Sequence, residues 1–152
     1  MKRMLCWALS AMLLVAGVSG IAHASDTATV SVSATVVGTC KFNSGGTLDF
    51  GSLTSGDVTV NASPQPEFWC TKNTTYTITD DDGLNEVVAG TPRLSDGSGN
   101  YINYSISYTS TGTGNGVGSP ITLDLSGTVL ESDYTAVPAG SYSDTITLTI
   151  NP

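Results

Sequence analysis

Few side chains in this sequence could do chemistry. Two cysteines, Cys40 and Cys70, lie 30 positions apart, while Cys6 and the only histidine, His23, fall in the first 24 residues. Those 24 residues have the features of a leader that is removed, and without histidine Ser–His–Asp and Cys–His catalysis are excluded. A carboxylate pair of the glycosidase kind stays open, but the acids mostly lie in turn-like segments. We therefore expect a protein that is not an enzyme.

The leader has three recognisable parts. Residues 2–3 are positively charged, residues 4–18 are almost wholly apolar, and Ala22-His23-Ala24 is a small-x-small cleavage site. A single membrane anchor is the alternative, but the apolar run is short for a span of about 20 residues. We expect residues 1–24 to be a signal peptide and Ser25 to be the mature N-terminus.

In an exported chain, Cys40 and Cys70 are expected to form a disulfide. Closing this loop contributes about 3–4 kcal/mol in the loop-entropy description. A metal site or a reactive thiol is the alternative, but two cysteines without histidine make a poor zinc site. We expect no metal and no cofactor.

The mature chain is strongly acidic. Lys41, Lys72 and Arg93 are its only cations against 13 acids, which gives a net charge of −10. Binding to nucleic acid depends on neutralising phosphates with Lys and Arg, so this class of partner is excluded. Binding to anionic membrane surfaces is disfavoured for the same reason.

Three consecutive acids, Asp80-Asp81-Asp82, precede Gly83 and suggest calcium. With Gly83 at the sixth position of an EF-hand loop, the first and twelfth positions are Ile78 and Ala89, which lack the required carboxylates. A weak surface calcium site stays open. A hairpin turn at Asp-Gly is the simpler interpretation.

The elements that position these residues are strands. Apolar residues alternate with Ser and Thr in short runs separated by Gly-, Asn- and Asp-rich turns, which is typical of an antiparallel β-sandwich. After an alternating N-terminal run, the sequence predicts strands at residues 47–50, 58–62, 67–71, 74–79, 101–108, 120–129 and 142–150. We expect no amphipathic helix after residue 24. We expect Trp69 and the tyrosine-rich run to pack in the core.

The two ends of the mature chain carry the clearest alternation. At the N-terminal end, the apolar positions are Ala28, Val30, Val32, Ala34 and Val36. At the C-terminal end, they are Tyr142, Ile146, Leu148 and Ile150. Asp144 falls on the apolar phase of the last run, where we expect it to accept backbone hydrogen bonds at the strand entrance.

The chain resembles the spore coat protein U domain family, which includes subunits of archaic chaperone–usher pili. The resemblance covers most of residues 27–152. It is carried by Gly38-Thr39-Cys40, Leu48-Asp49-Phe50-Gly51, Cys70-Thr71, Tyr101-Ile102-Asn103-Tyr104 and the closing run from Ala139 to Ile146.

The resemblance implies an incomplete immunoglobulin-like β-sandwich, residues 38–152, completed by a donor strand from a neighbouring subunit. The donor strand would lie in the extension at residues 25–37 and present Ala28, Val30, Val32, Ala34 and Val36. The acceptor groove would include Tyr142, Ile146, Leu148 and Ile150. The implied partners are identical or related pilus subunits, a periplasmic chaperone and an outer-membrane usher. The implied location is the cell surface, reached through the periplasm, and the implied role is adhesion and biofilm formation.

Three alternatives stay open at this point. The N-terminal run could be the first strand of its own sandwich, or only residues 36–40 could serve that purpose. The protein could be a lectin-like adhesive module. It could also be a spore or cell coat protein that assembles without an usher.

Overall fold

The computed structural model describes residues 25–56 and 59–152, without the side chains of Thr59 and Val60. The expected signal peptide at residues 1–24 lies outside the described residues.

The chain divides into two units, Met1–Ala34 and Thr35–Pro152. In the first unit, residues 25–34 form neither helix nor strand, and all of their side chains are exposed. Val30 and Val32 are 84% and 90% exposed. Residues 25–34 therefore present apolar side chains to solvent.

Within its described residues, the second unit contains eleven strands and one four-residue helix. In chain order these are β1 (Cys40–Phe42), β2 (Thr59–Ala62), β3 (Glu67–Cys70), β4 (Thr75–Asp80), β5 (Arg93–Ser95), β6 (Tyr101–Asn103), β7 (Ser105–Tyr108), β8 (Thr111–Thr113), β9 (Ile121–Thr122), β10 (Leu125–Leu130), α1 (Glu131–Tyr134) and β11 (Leu148–Asn151).

All pairings between these strands are antiparallel. Three sheets have the strand orders β1-β3-β9, β2-β10-β7 and β11-β4-β8, and β5 pairs with β6. The predicted all-β fold with antiparallel strands is confirmed.

Two apolar cores lie between the sheets. In the first core, Phe68 and Cys70 of β3 pack with Tyr76 and Ile78 of β4, so two sheets face each other as in a sandwich. The second core surrounds Val129 of β10 and lies beside β6; its buried members are Phe50, Ile102, Tyr104, Val129 and Tyr134. The tyrosine-rich run contributes Tyr104 to this core, as predicted.

Two predicted strands change partners partway along. The run at residues 101–108 divides at Tyr104, whose N–H donates to the Pro92 carbonyl (3.1 Å), so β6 pairs with β5 and β7 with β10. The run at residues 120–129 divides at Leu123, whose N–H donates to the Pro66 carbonyl (2.8 Å). Such switches form the corners of a sandwich.

Other sequence predictions were wrong. Residues 47–50 form no strand, because the Asp49 carboxylate accepts the N–H of Gly51 in a turn where Gly51 has φ +64°. Trp69 is only half-buried, since it points away from the β3 face that carries Phe68 and Cys70. The short elements β1, β5, β8 and α1 were not anticipated, because three or four residues are too few to display a period.

Cys40 and Cys70 form the predicted disulfide. They are direct register partners in the β1–β3 ladder, with their Cα atoms 4.1 Å apart. The bond therefore fixes the first strand of the second unit to the centre of its sheet.

Replacing both cysteines by alanine should lower the free energy of unfolding by about 3–4 kcal/mol, because the unfolded chain regains the entropy of an open loop. Urea unfolding followed by tryptophan fluorescence measures the loss. Dithiothreitol should destabilise the wild-type chain to a similar extent and leave the double variant unchanged. Equal stability of the oxidised wild type and the double variant would contradict this role.

Candidate functional site: a groove beside the last strand

The last segment of the chain alternates along its whole length. Tyr142, Ile146, Leu148 and Ile150 are half-buried, while the serine and threonines between them are exposed. Tyr142 and Ile146 pack against the second core, and Leu148 and Ile150 pack against the first. The segment therefore runs along both cores of the sandwich.

Only part of this segment is a strand, although the sequence predicted one over residues 142–150. β11 pairs with β4 from Leu148 onward, and further upstream Ser143 forms an isolated bridge with Ser95. Among the described residues, Thr145 and Ile146 make no backbone–backbone hydrogen bond. The middle of the segment thus leaves backbone donors and acceptors open.

Two cavities flank the same segment. The first has a volume of about 590 Å³ and includes Phe42, Leu48, Ile146 and Leu148 in its lining. The second has a volume of about 770 Å³ and includes Tyr142. Both share Thr47, Leu48, Phe50, Leu94 and Asp144, so together they form one elongated feature, here called the groove. Ile150 lies outside both linings.

Leu48 is central to the wall that faces the last segment. It packs against both cores and lines both cavities. Gly127 in β10 leaves room for it, because a β-carbon there would lie 2.5 Å from a methyl carbon of Leu48 and would displace that side chain. Leu48, Phe42 and Leu94 were not predicted from the sequence as lining residues, although the apolar character of residues 48 and 50 was a usable signal.

Asp144 is the one acidic residue on the inward-facing side of the last segment. Its carboxylate accepts hydrogen bonds from the Leu84 N–H (3.0 Å), the Asn85 side-chain amide (3.0 Å) and the Tyr104 hydroxyl (2.8 Å). Burial and the bond to Asp144 raise the pKa of Tyr104 far above its usual value, so it stays a donor. The backbone hydrogen bond to Asp144 that the sequence predicted is therefore present, from Leu84, and Asn85 and Tyr104 add two side-chain donors.

The acidic turn at residues 80–83 holds the same segment. The Asp81 carboxylate accepts the N–H of Thr147 (2.8 Å), and this bond holds the pKa of Asp81 below its usual 3.8. Asp82 and Gly83 have positive φ, as expected of an Asp-Gly turn. The predicted hairpin was wrong, however, because β4 and β5 on either side of the loop do not pair with each other.

In residues 25–56 and 59–152, no three His, Cys, Asp or Glu side chains are arranged to hold a metal ion. The same part of the chain has no helix that is long and apolar enough to cross a membrane. The groove is lined mainly by apolar surface in the first cavity and mainly by polar surface in the second, and open backbone groups lie along one of its walls.

Changing Tyr104 to phenylalanine should lower the free energy of unfolding by about 1.5–3 kcal/mol, because a hydrogen bond to a charged carboxylate is lost. Chemical denaturation measures the difference. Tyr101→Phe is the matched control, since Tyr101 is exposed and stacks on Arg93 through its ring. Equal effects of the two changes would contradict the role of Asp144 as an acceptor.

Changing Asp81 to alanine should lower the melting temperature at neutral pH, because Thr147 loses its acceptor. The pKa of Asp81 is lower in the folded than in the unfolded chain, so its contribution exists above pH 3.8 and is lost as pH falls through the lowered value. Melting curves of wild type and variant should therefore converge in acid. A difference that persists unchanged at about pH 2 would contradict this assignment.

Three comparisons bear on identity. The chaperone–tip adhesion subunit pre-assembly complex of archaic chaperone–usher Csu pili from Acinetobacter baumannii aligns with 18% sequence identity and a TM-score of 0.45. That alignment covers 76% of this chain and spans 40% of the other. No curated protein matches the sequence. A family model described as the Spore Coat Protein U domain matches residues 26–149, and the chain therefore belongs to that family.

Proposed function

We propose that this protein is a structural subunit of a secreted surface fibre of the chaperone–usher type and that it polymerises by donor-strand exchange. The observation that carries the proposal is the groove, where both cavities and the unpaired backbone of Thr145 and Ile146 lie along one segment. Family membership supports the same conclusion.

An extended peptide is the ligand that such a groove fits best. Strand addition supplies the missing backbone partners, and alternate side chains enter the apolar pockets between the sheets. Apolar side chains in the groove are only half-buried and remain partly exposed to water. An open strand edge is also prone to uncontrolled association. A strand from a second subunit would remove both problems at once.

The N-terminal run has the pattern of such a strand. Ala28, Val30, Val32, Ala34 and Val36 alternate with polar residues, and the three valines are 84%, 90% and 83% exposed. Burying three valines is worth about 5–9 kcal/mol before the entropy of ordering. Exposed apolar residues in a regular alternation are costly to leave in water, which supports their insertion into a partner.

The two segments match in length. The run from Ala28 to Val36 and the run from Tyr142 to Ile150 each contain nine residues, or about 30 Å of extended chain. Each presents five positions of one face at period two. We take Tyr142, Ile146, Leu148 and Ile150 as one side of the acceptor and Leu48, with its neighbours, as the other.

The proposal includes the assembly partners. A periplasmic chaperone would occupy the groove before assembly, and an outer-membrane usher would exchange it for the next subunit. The assembled fibre would lie at the cell surface and support adhesion and biofilm formation. The proposed role is structural and needs no catalytic group or cofactor.

Changing Val32 to aspartate should abolish polymers, because a charged side chain would enter an apolar pocket of the neighbour. The measurement is the ladder that the oxidised mature chain gives on unheated detergent gels and its collapse on heating. Ser31→Asp is the matched control, since it adds the same charge on the polar face of the same run. The control should still form the ladder.

Normal assembly of the Val32→Asp variant would contradict the donor assignment. A wild-type chain that stays monomeric, and whose Val32→Asp variant unfolds, would show instead that the run completes its own sandwich.

A further inference from the structure

The connection between the proposed donor strand and the sandwich is very short. Val36 is the last apolar position of the donor, and Thr39 is already fixed to the sandwich. The Thr39 N–H donates to the Thr71 hydroxyl (3.1 Å), and the Thr71 N–H donates to the Thr39 carbonyl (2.9 Å). The next residue, Cys40, is bonded to Cys70 by the disulfide. Only Val37 and Gly38 separate the two fixed points.

This length decides how close two subunits must be. Three residue steps span at most about 11 Å, whereas a domain of this size has a radius of gyration of about 13 Å. If Val36 sits in a neighbour's groove, the surface around Thr39 must therefore touch that neighbour. The inference rests on the proposed donor-strand exchange and adds a second contact to it.

The surface around Thr39, here called the exit end, is basic. It carries Lys41 and Lys72, two of the three cations of the mature chain, and both are exposed. Gly114 and Gly116 join the same end, since the Asn73 N–H donates to the Gly114 carbonyl (2.9 Å) and the Gly116 N–H to the Cys70 carbonyl (3.0 Å). Residues 35–41, 70–77 and 111–119 contain no Asp or Glu.

The opposite end of the groove is acidic. Asp49 lines the cavity that contains Tyr142. Burial, and to a lesser extent the nearby carboxylate of Asp96, raise the pKa of the Tyr142 hydroxyl. Glu131 and Asp133 belong to α1, whose Tyr134 lines the same cavity. These four acids define the acidic end.

The third cation does not neutralise these acids. The Nε–H of Arg93 donates to the Asn85 carbonyl (2.9 Å), and its guanidinium stacks 4.0 Å from the ring centre of Tyr101. Both partners are uncharged, so Arg93 keeps its single positive charge, and the four acids still leave the acidic end negative.

The last segment runs from one end to the other. Ser143 pairs with Ser95 near the acidic end, and Asn151 pairs with Thr77 near the exit end, about 26 Å away along extended chain. A donor strand antiparallel to this segment brings its Val36 to Tyr142 and the exit end to the acidic end. A parallel donor would bring two exit ends together, with lysines facing lysines.

We infer that consecutive copies of this chain make a body-to-body contact in which Lys41 and Lys72 of the donating subunit face the acidic end of the receiving subunit. Complementary charges at the rim of an interface mainly raise the association rate and resist wrong orientations. Without residues 1–24 the chain has a net charge of −10, and such a local attraction offsets the general repulsion between copies.

The test compares two double variants of the full mature chain that change its net charge equally. Lys41→Gln with Lys72→Gln removes two positive charges at the exit end. Ser105→Glu with Ser126→Glu adds two negative charges on exposed sites of β7 and β10, outside both ends. At low salt, the first variant should polymerise about tenfold more slowly than the second, and the gap should close at high salt.

A charge swap adds the decisive arm. Lys41→Glu with Lys72→Glu should nearly stop assembly, and adding Asp133→Lys with Thr135→Lys in the same chain should restore the rate, because each copy carries both ends. Equal rates of the two double variants at low salt, or no rescue by the swap, would overturn the inference.

Failure of the underlying proposal is distinguished by a peptide of residues 27–37 with acetylated and amidated ends. This peptide has no charged group and no sandwich, so it should bind the wild-type and Lys41→Glu/Lys72→Glu chains equally. A peptide that binds neither chain, together with absence of a wild-type ladder, would overturn donor-strand exchange itself. A peptide that binds both, with no effect of the lysines on assembly rate, would overturn only the charged contact.

Discussion

The structure depends on one unmet requirement of backbone chemistry. Backbone N–H and C=O groups beside an apolar core need hydrogen-bond partners, and strands normally supply them to one another. Within the described residues, no strand pairs with the last segment between Asp144 and Thr147, although this stretch borders the core. The first cavity lies along this gap and the second meets it at Asp144, and the half-buried side chains on either side of it pack against both cores. We propose that a partner strand binds at this gap, because only an extended backbone supplies the missing hydrogen bonds along it.

Side-chain hydrogen bonds hold the last segment extended at this gap. Asp81 accepts the Thr147 N–H, and Asp144 is fixed by Leu84, Asn85 and Tyr104. These bonds position the segment without occupying the backbone of Thr145 and Ile146. Because the carboxylate of Asp144 already has three donors, a strand laid over it would not leave it unpaired. An acidic residue on the apolar phase is thus compatible with a binding groove.

Much of this could be predicted from the sequence, and the failures share a cause. Alternation located β3, β4, β10 and the last segment, and the cysteine pair gave the disulfide. Alternation is blind to a change of partner, however, because Tyr104 and Leu123 keep the period while their N–H groups turn to Pro92 and Pro66. For the same reason, alternation did not reveal the unpaired stretch within residues 142–150.

The Leu48 side of the groove was harder to predict than the last segment. Leu48 lies in a segment that looked like a strand but turns at Asp49, and its seat depends on a glycine far away in β10. Such long-range packing leaves no periodic signal in the sequence. The significance of the N-terminal alternation came from the family resemblance, since the same pattern would suit a strand that stays in its own sandwich.

Amide hydrogen exchange on monomer and polymer, separated by size, tests donor-strand exchange most directly. The amides of residues 28–36 and those of Thr145 and Ile146 should exchange rapidly in the monomer. Both groups should become protected together in the polymer. Protection of both groups in the monomer, at a level independent of protein concentration, would contradict exchange between subunits. So would polymers in which either group still exchanges as fast as in the monomer.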